Sequence, residues 1–226
     1  MFHAALVSAR PFPNQQQVPQ PVLNVHLKGP DGYAFRPGQY LQVHHEGTDV
    51  PLSIASGPND LPSLRLHYKA TPGDPLAGAM NAALTKPTVQ ISIADGTAID
   101  HDPHQALLFI AGGTGAAQAF AIANHRRTLT DAGPITMLWC ADSAQDLYDQ
   151  ETLIELGVDL TAVVDDRRTP QNEGLVWLQR NAPEQADAAI LIGGSPNFVY
   201  AATDVLLAAG FAQDQLGSDV YSYAPR

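Results

Sequence analysis

Cysteine is almost missing from this chain: Cys140 is the only one among 226 residues. A single thiol excludes an internal disulfide, a cysteine-ligated iron–sulfur cluster and a multi-cysteine zinc site within the chain. Apolar runs of about 20 residues are missing too, so no spanning helix and no membrane partner is predicted. The start, "MFHAALVSARPFPNQQQ", lacks the basic end and long apolar middle of a secretion signal, and a cytoplasmic compartment is expected. Basic residues are scarce, 12 Lys+Arg against 23 Asp+Glu, for a formal net charge of −11. Such a field repels nucleic acid and anionic membranes. It still admits an anionic ligand, because a local nest of backbone N–H groups binds phosphate inside a negative field.

What is present falls into two patterns. Residues 1 to about 97 hold six short, mostly alternating segments: "HAALVSAR", "VLNVHLKG", "YLQVHHE", "VPLSIAS", "LRLHYKA" and "TVQISIA". Turn-rich pieces such as "GPDGYAFRPGQ" and "GPNDLP" separate them, which predicts a six-stranded antiparallel β-barrel. One helical exception, "DPLAGAMNAALT", bridges the last two strands. After "AIDHDPHQ" strands alternate with helices, and the strands are apolar on both faces. That predicts an α/β doubly wound parallel sheet. The expected division is residues 1–98 as a barrel domain and 99–226 as a nucleotide-binding domain. The "HDPH" of residues 101–104 reads better as a proline-broken interdomain loop than as a metal site.

The most informative stretch is "LLFIAGGTGAAQAFAIANH", residues 107–125. A Walker loop needs a lysine after its glycines, and none occurs from Ala106 to Ala123, so a P-loop hydrolase is disfavoured. The usual dinucleotide fingerprint fails as well, because Gln118 stands where its third small residue belongs. A tight Gly-Gly-Thr-Gly turn opening a helix remains, and its free N–H groups suit an anion. "ILIGGSPNFVYAATDVL", residues 190–206, repeats the pattern. Loops at the carboxyl ends of strands gather on one edge of a doubly wound sheet. Gly112, Gly113, Thr114 and Gly115 are thus expected to share a crevice with Gly193, Gly194, Ser195 and Pro196; the alternative is two unrelated turns.

The order of "FRPGQYLQV", "VPLSIAS", "LRLHYKA", "IAGGTG", "LYD" and "GGSPNFVYAATDVL" resembles the ferredoxin–NADP reductase superfamily, closest to the small bacterial NAD(P)H:flavin reductases. The resemblance covers nearly the whole chain. It implies a flavin-binding barrel, a nicotinamide-binding α/β domain, and hydride transfer between stacked rings. The family's flavin motif falls on Val50, Pro51, Leu52 and Ser53, with Ser53 expected to hydrogen-bond near the flavin's hydride-accepting nitrogen. Taken alone, Ser53 reads as a strand serine bonded to backbone. The family's arginine is replaced by Val50 and its aromatic by Leu52, which removes a fork of phosphate donors. Weak flavin binding follows, with FAD, FMN or riboflavin as a diffusible substrate, and His67, Tyr68 and Lys69 as neighbouring candidates. The tail supplies Asp219 and Tyr221 at the family's acid-to-aromatic spacing, with the aromatic expected to cover the flavin and Tyr223 as the other candidate for that role.

The resemblance implies NADH or NADPH as donor. NADPH selection needs a basic residue near the end of the second strand. That end reads "CADSAQD", where Asp142 repels a phosphate, so NADH preference is expected; Arg167 and Arg168 are the residues that would counter it. Two other readings stand beside a flavin reductase. One is a flavoprotein passing electrons to an iron–sulfur or oxygenase partner. The other is a non-catalytic regulatory subunit on the same fold.

Overall fold

A computed structural model describes residues 1–165, 172–182 and 187–226. They form two compact units: Met1–Gly96 with Ala117–His125, and Thr97–Ala116 with Arg126–Arg226. No helix among the described residues is long and apolar enough to cross a membrane.

The first unit is built from β1 (Phe2–Pro11), β2 (Val22–Lys28), β3 (Tyr40–His45), β4 (Thr48–Ser53), β5 (Ser63–Lys69) and β6 (Thr88–Ile91). They pair antiparallel in the order β4-β3-β6-β1-β2-β5. The two end strands then meet: Ile54 bridges Leu66, and the Ala55 N–H donates to the Arg65 carbonyl at 2.8 Å. The sheet therefore closes on itself, which removes its open edges. Period-two alternation sends Val25, Leu27, Leu41, Val43, Leu64, Leu66, Val89 and Ile91 into one core. Helix α1 (Pro75–Ala83) adds Met80 and Ala83 to that core. It starts where the sequence predicts, because the Asp74 carboxylate accepts from the Leu76 N–H at 2.9 Å and Pro75 occupies the first turn.

Helix α2 (Ala117–Arg126) packs with this first unit through residue 125. Its Phe120 ring meets His67 edge-on at 4.9 Å, and its Asn124 amide bonds the Asp60 carboxylate. Gln118 is buried, and its amide donates to the Gly38 carbonyl at 2.7 Å. The residue that breaks the dinucleotide fingerprint is thus tied to the "RPGQY" turn, where Gly38 has a φ of +94°.

The second unit holds β7 (Leu107–Gly112), β8 (Ile135–Ala141), β9 (Val158–Val164), β10 (Ala189–Gly193) and β11 (Leu216–Gly217), all parallel in the order β11-β10-β7-β8-β9. Every residue of β7 is buried. Its other helices are α3 (Gln150–Glu155), α4 (Glu173–Asn181), α5 (Pro196–Ala208) and α6 (Val220–Tyr223). Leu175 and Leu178 of α4 and Val199, Ala202 and Leu206 of α5 share a core with Leu108, Ile110, Leu138, Ile190 and Ile192 of the sheet. The chain proceeds from β7 outward to β8 and β9, then returns to place β10 on the other side of β7. The strand order therefore reverses between β7 and β10.

Two local outcomes differ from the sequence reading. Where the alternation of strands and helices calls for a helix after β8, the segment "SAQDLYDQETLIELG" is broken: a 3-10 turn (Ala144–Asp146) is followed by Asp149 at φ +53°, and α3 begins only at Gln150. Burial of Leu147 and Tyr148 competes with helix continuity there. The two-residue β11 and the four-residue α6 lie in the tail, too short for any periodicity to announce.

The segment before β7 is held by one buried ion pair. Arg126 and Asp100 are each 3% exposed in their side chains. The guanidinium donates to both Asp100 oxygens, at 2.8 and 2.6 Å, and to the carbonyls of Gln105 and Gly133. His104 of "HDPH" takes part in a turn, its N–H donating to Asp102 at 2.9 Å and its Nδ1 lying 2.8 Å from the Asp131 carbonyl.

Candidate functional site

In the second unit the two glycine loops lie side by side. Gly193 pairs with Ala111 in register, so both loops leave the carboxyl ends of neighbouring strands. A Cβ added to Gly115 would meet the backbone of the other loop, 2.5 Å from the Gly194 nitrogen and closer still to the Gly193 carbonyl group. A Cβ on Gly112 would lie 2.7 Å from the Phe198 ring, and one on Gly194 3.0 Å from the same ring. Gly113 has a φ of +56° and Gly194 a φ of +149°, a region that L side chains rarely adopt. The loops interlock through bare backbone over Phe198, at the point where the strand order reverses. The alternative of two unrelated turns does not describe this geometry.

The same loops present helix termini. Residues Gly113–Ala116 form a 3-10 turn leading into α2, and they remain half-exposed up to Gly115. Ser195 precedes α5 in extended conformation with no side-chain cap, and Pro196 follows in the first turn. Uncapped N–H groups at a 13-residue helix carry the positive end of its dipole. Trp139, wholly buried in β8, donates its indole N–H to the Gly113 carbonyl at 2.9 Å. Neither Trp139 nor Phe198 stood out in the sequence, since each reads there as an ordinary apolar position of a strand or helix.

Further along the carboxyl edge, the exposed Asp142 follows β8 directly. Asp165 follows β9 and accepts from the Glu173 N–H at 2.7 Å, at the start of α4. Arg167 and Arg168 lie outside the described residues. Cys140 is a buried residue of β8.

In the first unit, the "FRPGQY" segment makes a turn ahead of β3: the Arg36 N–H bonds the Gln39 side chain at 2.7 Å, and the Gln39 N–H bonds the Arg36 carbonyl at 3.1 Å. Ser53 ends β4 opposite Tyr40, at the strand end beside that turn. Ser53 is half-buried, and its hydroxyl has no hydrogen-bond partner among the described residues. Val50 is 4% exposed and belongs to the barrel core, Pro51 is exposed, and Leu52 is half-buried. Position 50 thus offers an apolar, inward side chain and no phosphate donor.

The neighbouring candidates on β5 point two ways. Tyr68 faces the core, its hydroxyl 3.4 Å from both the Ala77 carbonyl and the Asn81 side chain. His67 sits on the outer face between Phe12 and Phe120, each ring centroid 4.9 Å away. Burial, aided by the nearby Arg65 charge, pushes the His67 pKa down to about 3. Lys69 is half-buried at the end of the strand.

The tail residues dock within the second unit. The Asp219 carboxylate accepts from the Thr97 and Ala98 N–H groups at 2.6 and 3.0 Å. Thr203 gives its hydroxyl hydrogen to the Val199 carbonyl at 2.8 Å, so the Tyr221 hydroxyl, 2.7 Å away, donates to the Thr203 oxygen. The Tyr221 ring lies 5.9 Å from Tyr200, and burial raises its pKa. Tyr223 is 62% exposed. Among the described residues no group of three or more His, Cys, Asp or Glu side chains is placed to hold a metal ion.

A closed antiparallel barrel and a parallel sheet that reverses order at its glycine loops are the two parts of the fold seen in solved ferredoxin reductases. Solved structures agree: the ferredoxin reductase in carbazole 1,9a-dioxygenase superposes with a TM-score of 0.78 at 22% identity, covering 96% of this chain and 68% of that one. A ferredoxin–NADP+ reductase from Plasmodium falciparum gives 0.79 at 13% identity, covering 96% and 94%. Among characterised sequences, the chain is similar to an NAD(P)H-flavin reductase of Vibrio harveyi, 35% identical over 130 residues, covering 54% of this chain and 55% of that protein. It is also similar to the reductase component of propane 2-monooxygenase from Rhodococcus jostii (strain RHA1), 26% identical over 217 residues, covering 85% and 57%. The chain therefore spans little more than half the length of these relatives. No family model matches it.

Proposed function

We propose that the protein is an NAD(P)H:flavin oxidoreductase that prefers NADH and holds its flavin weakly. The observation that carries this reading is the pair of interlocked glycine loops at the sheet's reversal point. A strand-order reversal is where doubly wound sheets bind nucleotides, and the bare backbone at Gly112 and Gly115 lets the two loops pack against each other and Phe198 at that point. The residues present therefore fit a dinucleotide held by Gly112, Gly113, Thr114, Gly115, Gly193, Gly194, Ser195 and Pro196. When bound, the nicotinamide supplies a hydride and the flavin accepts it.

The chain's own residues supply binding and orientation. Loop N–H groups hold the diphosphate, and close backbone approach excludes water from it. Ser53 donates its hydroxyl to the flavin ring and favours the charge that develops there. Val50 leaves the flavin phosphate without an arginine fork, so the ring is recognised more than the phosphate, and riboflavin, FMN and FAD serve as exchangeable substrates. Asp142 disfavours the extra phosphate of NADPH. The expected division of labour is a flavin-binding region within residues 1–98 and a nicotinamide-binding region within 99–226, in a cytoplasmic protein.

A second reading has its own support, the similarity to oxygenase reductase components. In it the flavin stays bound and electrons pass to an iron–sulfur or oxygenase partner, whose cluster must lie on sequence other than that of this single-cysteine chain. The visible spectrum and NADH oxidation separate the two. A colourless protein active only with added riboflavin, FMN or FAD supports the first; a yellow protein that needs a partner supports the second. Absence of NADH and NADPH oxidation under every condition would refute both and favour a regulatory subunit. Equal kcat/KM for NADH and NADPH would refute the NADH preference.

A further inference from the structure

The "LYD" of residues 147–149 and the buried tryptophan of β8 have no place in the reading above, yet they converge on the glycine loop. Trp139 is wholly buried, and its indole N–H donates to the Gly113 carbonyl at 2.9 Å. Tyr148, also wholly buried, meets the Trp139 ring edge-on, with centroids 5.0 Å apart and planes at 90°. Asp149, in left-handed conformation at φ +53°, ends the tight turn that carries Tyr148 inward, and its carboxylate accepts from the Thr152 hydroxyl at 2.8 Å.

The peptide joining Gly113 to Thr114 is planar and trans, so its C=O and N–H point in opposite directions. With the carbonyl held toward Trp139, the Thr114 N–H is turned the other way. Gly113 is free of a side chain and sits at φ +56°, so nothing of its own prevents this peptide from flipping. The indole hydrogen bond is what selects one orientation, and the edge-on contact with Tyr148 fixes the indole.

We propose that Trp139 and Tyr148 are positioning residues for the nicotinamide loop: they lock the Gly113–Thr114 peptide so that the Thr114 N–H faces the dinucleotide. This inference rests on the NAD(P)H reading of Gly112–Gly115. Neither side chain touches the ligand in this scheme. Both act through one peptide plane, and the effect is confined to the nicotinamide substrate.

The test uses the full chain, with NADH and riboflavin varied separately and the NADH dissociation constant measured by equilibrium dialysis. Trp139→Phe retains a ring against Tyr148 and removes the N–H. It should raise the KM and the dissociation constant for NADH about 3- to 10-fold, with the riboflavin KM unchanged. Tyr148→Leu should raise the NADH values in the same direction, while Tyr148→Phe, which keeps the ring edge, should restore them to near wild type. If Trp139→Phe fails to fold, the sulfur-for-N–H analogue of tryptophan at position 139 removes the donor with almost no change of shape, and the same rise is expected. Wild-type NADH values in the N–H-deleted protein, or an equal rise in the KM of both substrates, would overturn the proposal. A wild-type protein that binds neither NADH nor NADPH would instead fail the nicotinamide reading itself, and this inference with it.

Discussion

Replacing Gly115 by alanine adds one methyl group where the two glycine loops touch. The new Cβ would sit 2.5 Å from the Gly194 nitrogen and closer to the Gly193 carbonyl group. Ordinary van der Waals contact begins near 3.4 Å, so the two loops must part by about 1 Å. The obstructing atoms are backbone, which cannot rotate aside as a side chain does. Overpacking of this kind costs about 1–3 kcal/mol, and a displacement near 1 Å at a binding site lowers reactivity by about 100-fold. Gly115→Ala should therefore lose about 1–3 kcal/mol in urea unfolding and about 100-fold in kcat/KM for NADH, while riboflavin affinity, read by flavin fluorescence quenching, holds at the wild-type value. Gly78→Ala is the matched control. Gly78 is exposed in α1 with no atom within 4 Å of a new Cβ, so alanine should stabilise the protein by about 0.5–1 kcal/mol and leave both substrates alone. A Gly115→Ala protein with NADH kinetics within twofold of wild type would refute the claim that the interlocked loops form the nicotinamide cradle.

Other consequences can be checked alongside. Ser53→Ala should lower turnover with riboflavin by about 10-fold or more, with no change in the unfolding midpoint, because the hydroxyl has no partner within the described fold; an unchanged rate would remove Ser53 from the site. Asp100→Ala leaves the Arg126 guanidinium buried without its counterion and should cost about 3–5 kcal/mol in urea unfolding, and a loss under 1 kcal/mol would show the pair to be hydrated. Burial holds His67 at a pKa of about 3, against about 6.5 for an unfolded chain. Below the unfolded value only the unfolded state takes up the proton, so stability falls as pH drops from about 6.5 toward 3. Between pH 7 and pH 5 this group should remove about 2 kcal/mol, and His67→Leu should lack that part of the slope. Parallel pH profiles for the two proteins in urea melts would contradict the burial assigned to the ring.

The barrel was legible because its strands are mostly alternating and are set apart by turns rich in glycine and proline. Asp74-Pro75 marks the start of α1 by the same local chemistry that starts it in the structure. Both glycine loops were legible as loops, and their adjacency followed from the parallel-sheet rule rather than from any single residue. The supports beneath them were not legible. Trp139 and Phe198 act through contacts across strands and helices, and a buried aromatic in a strand or helix looks the same whether or not it holds a loop. Gln118 was visible only as a departure from a glycine pattern; its bond to Gly38, 80 positions away in sequence, had no local signal. The strand–helix alternation called for a helix between β8 and β9, and the burial of Tyr148 against Trp139 goes with a break in its first part.

Helix α2 has one more consequence. The first unit is not one uninterrupted length of chain, since residues 117–125 belong to it. During synthesis, residues 1–96 would emerge with His67 lacking Phe120 and Asp60 lacking Asn124, and the barrel's outer face would wait for the helix to arrive. A gene cut after residue 96 would not yield a free-standing barrel of full stability. Exchange of halves between related proteins at that seam would have to carry α2 along, or match its Gln118, Phe120 and Asn124 to the barrel it lands on.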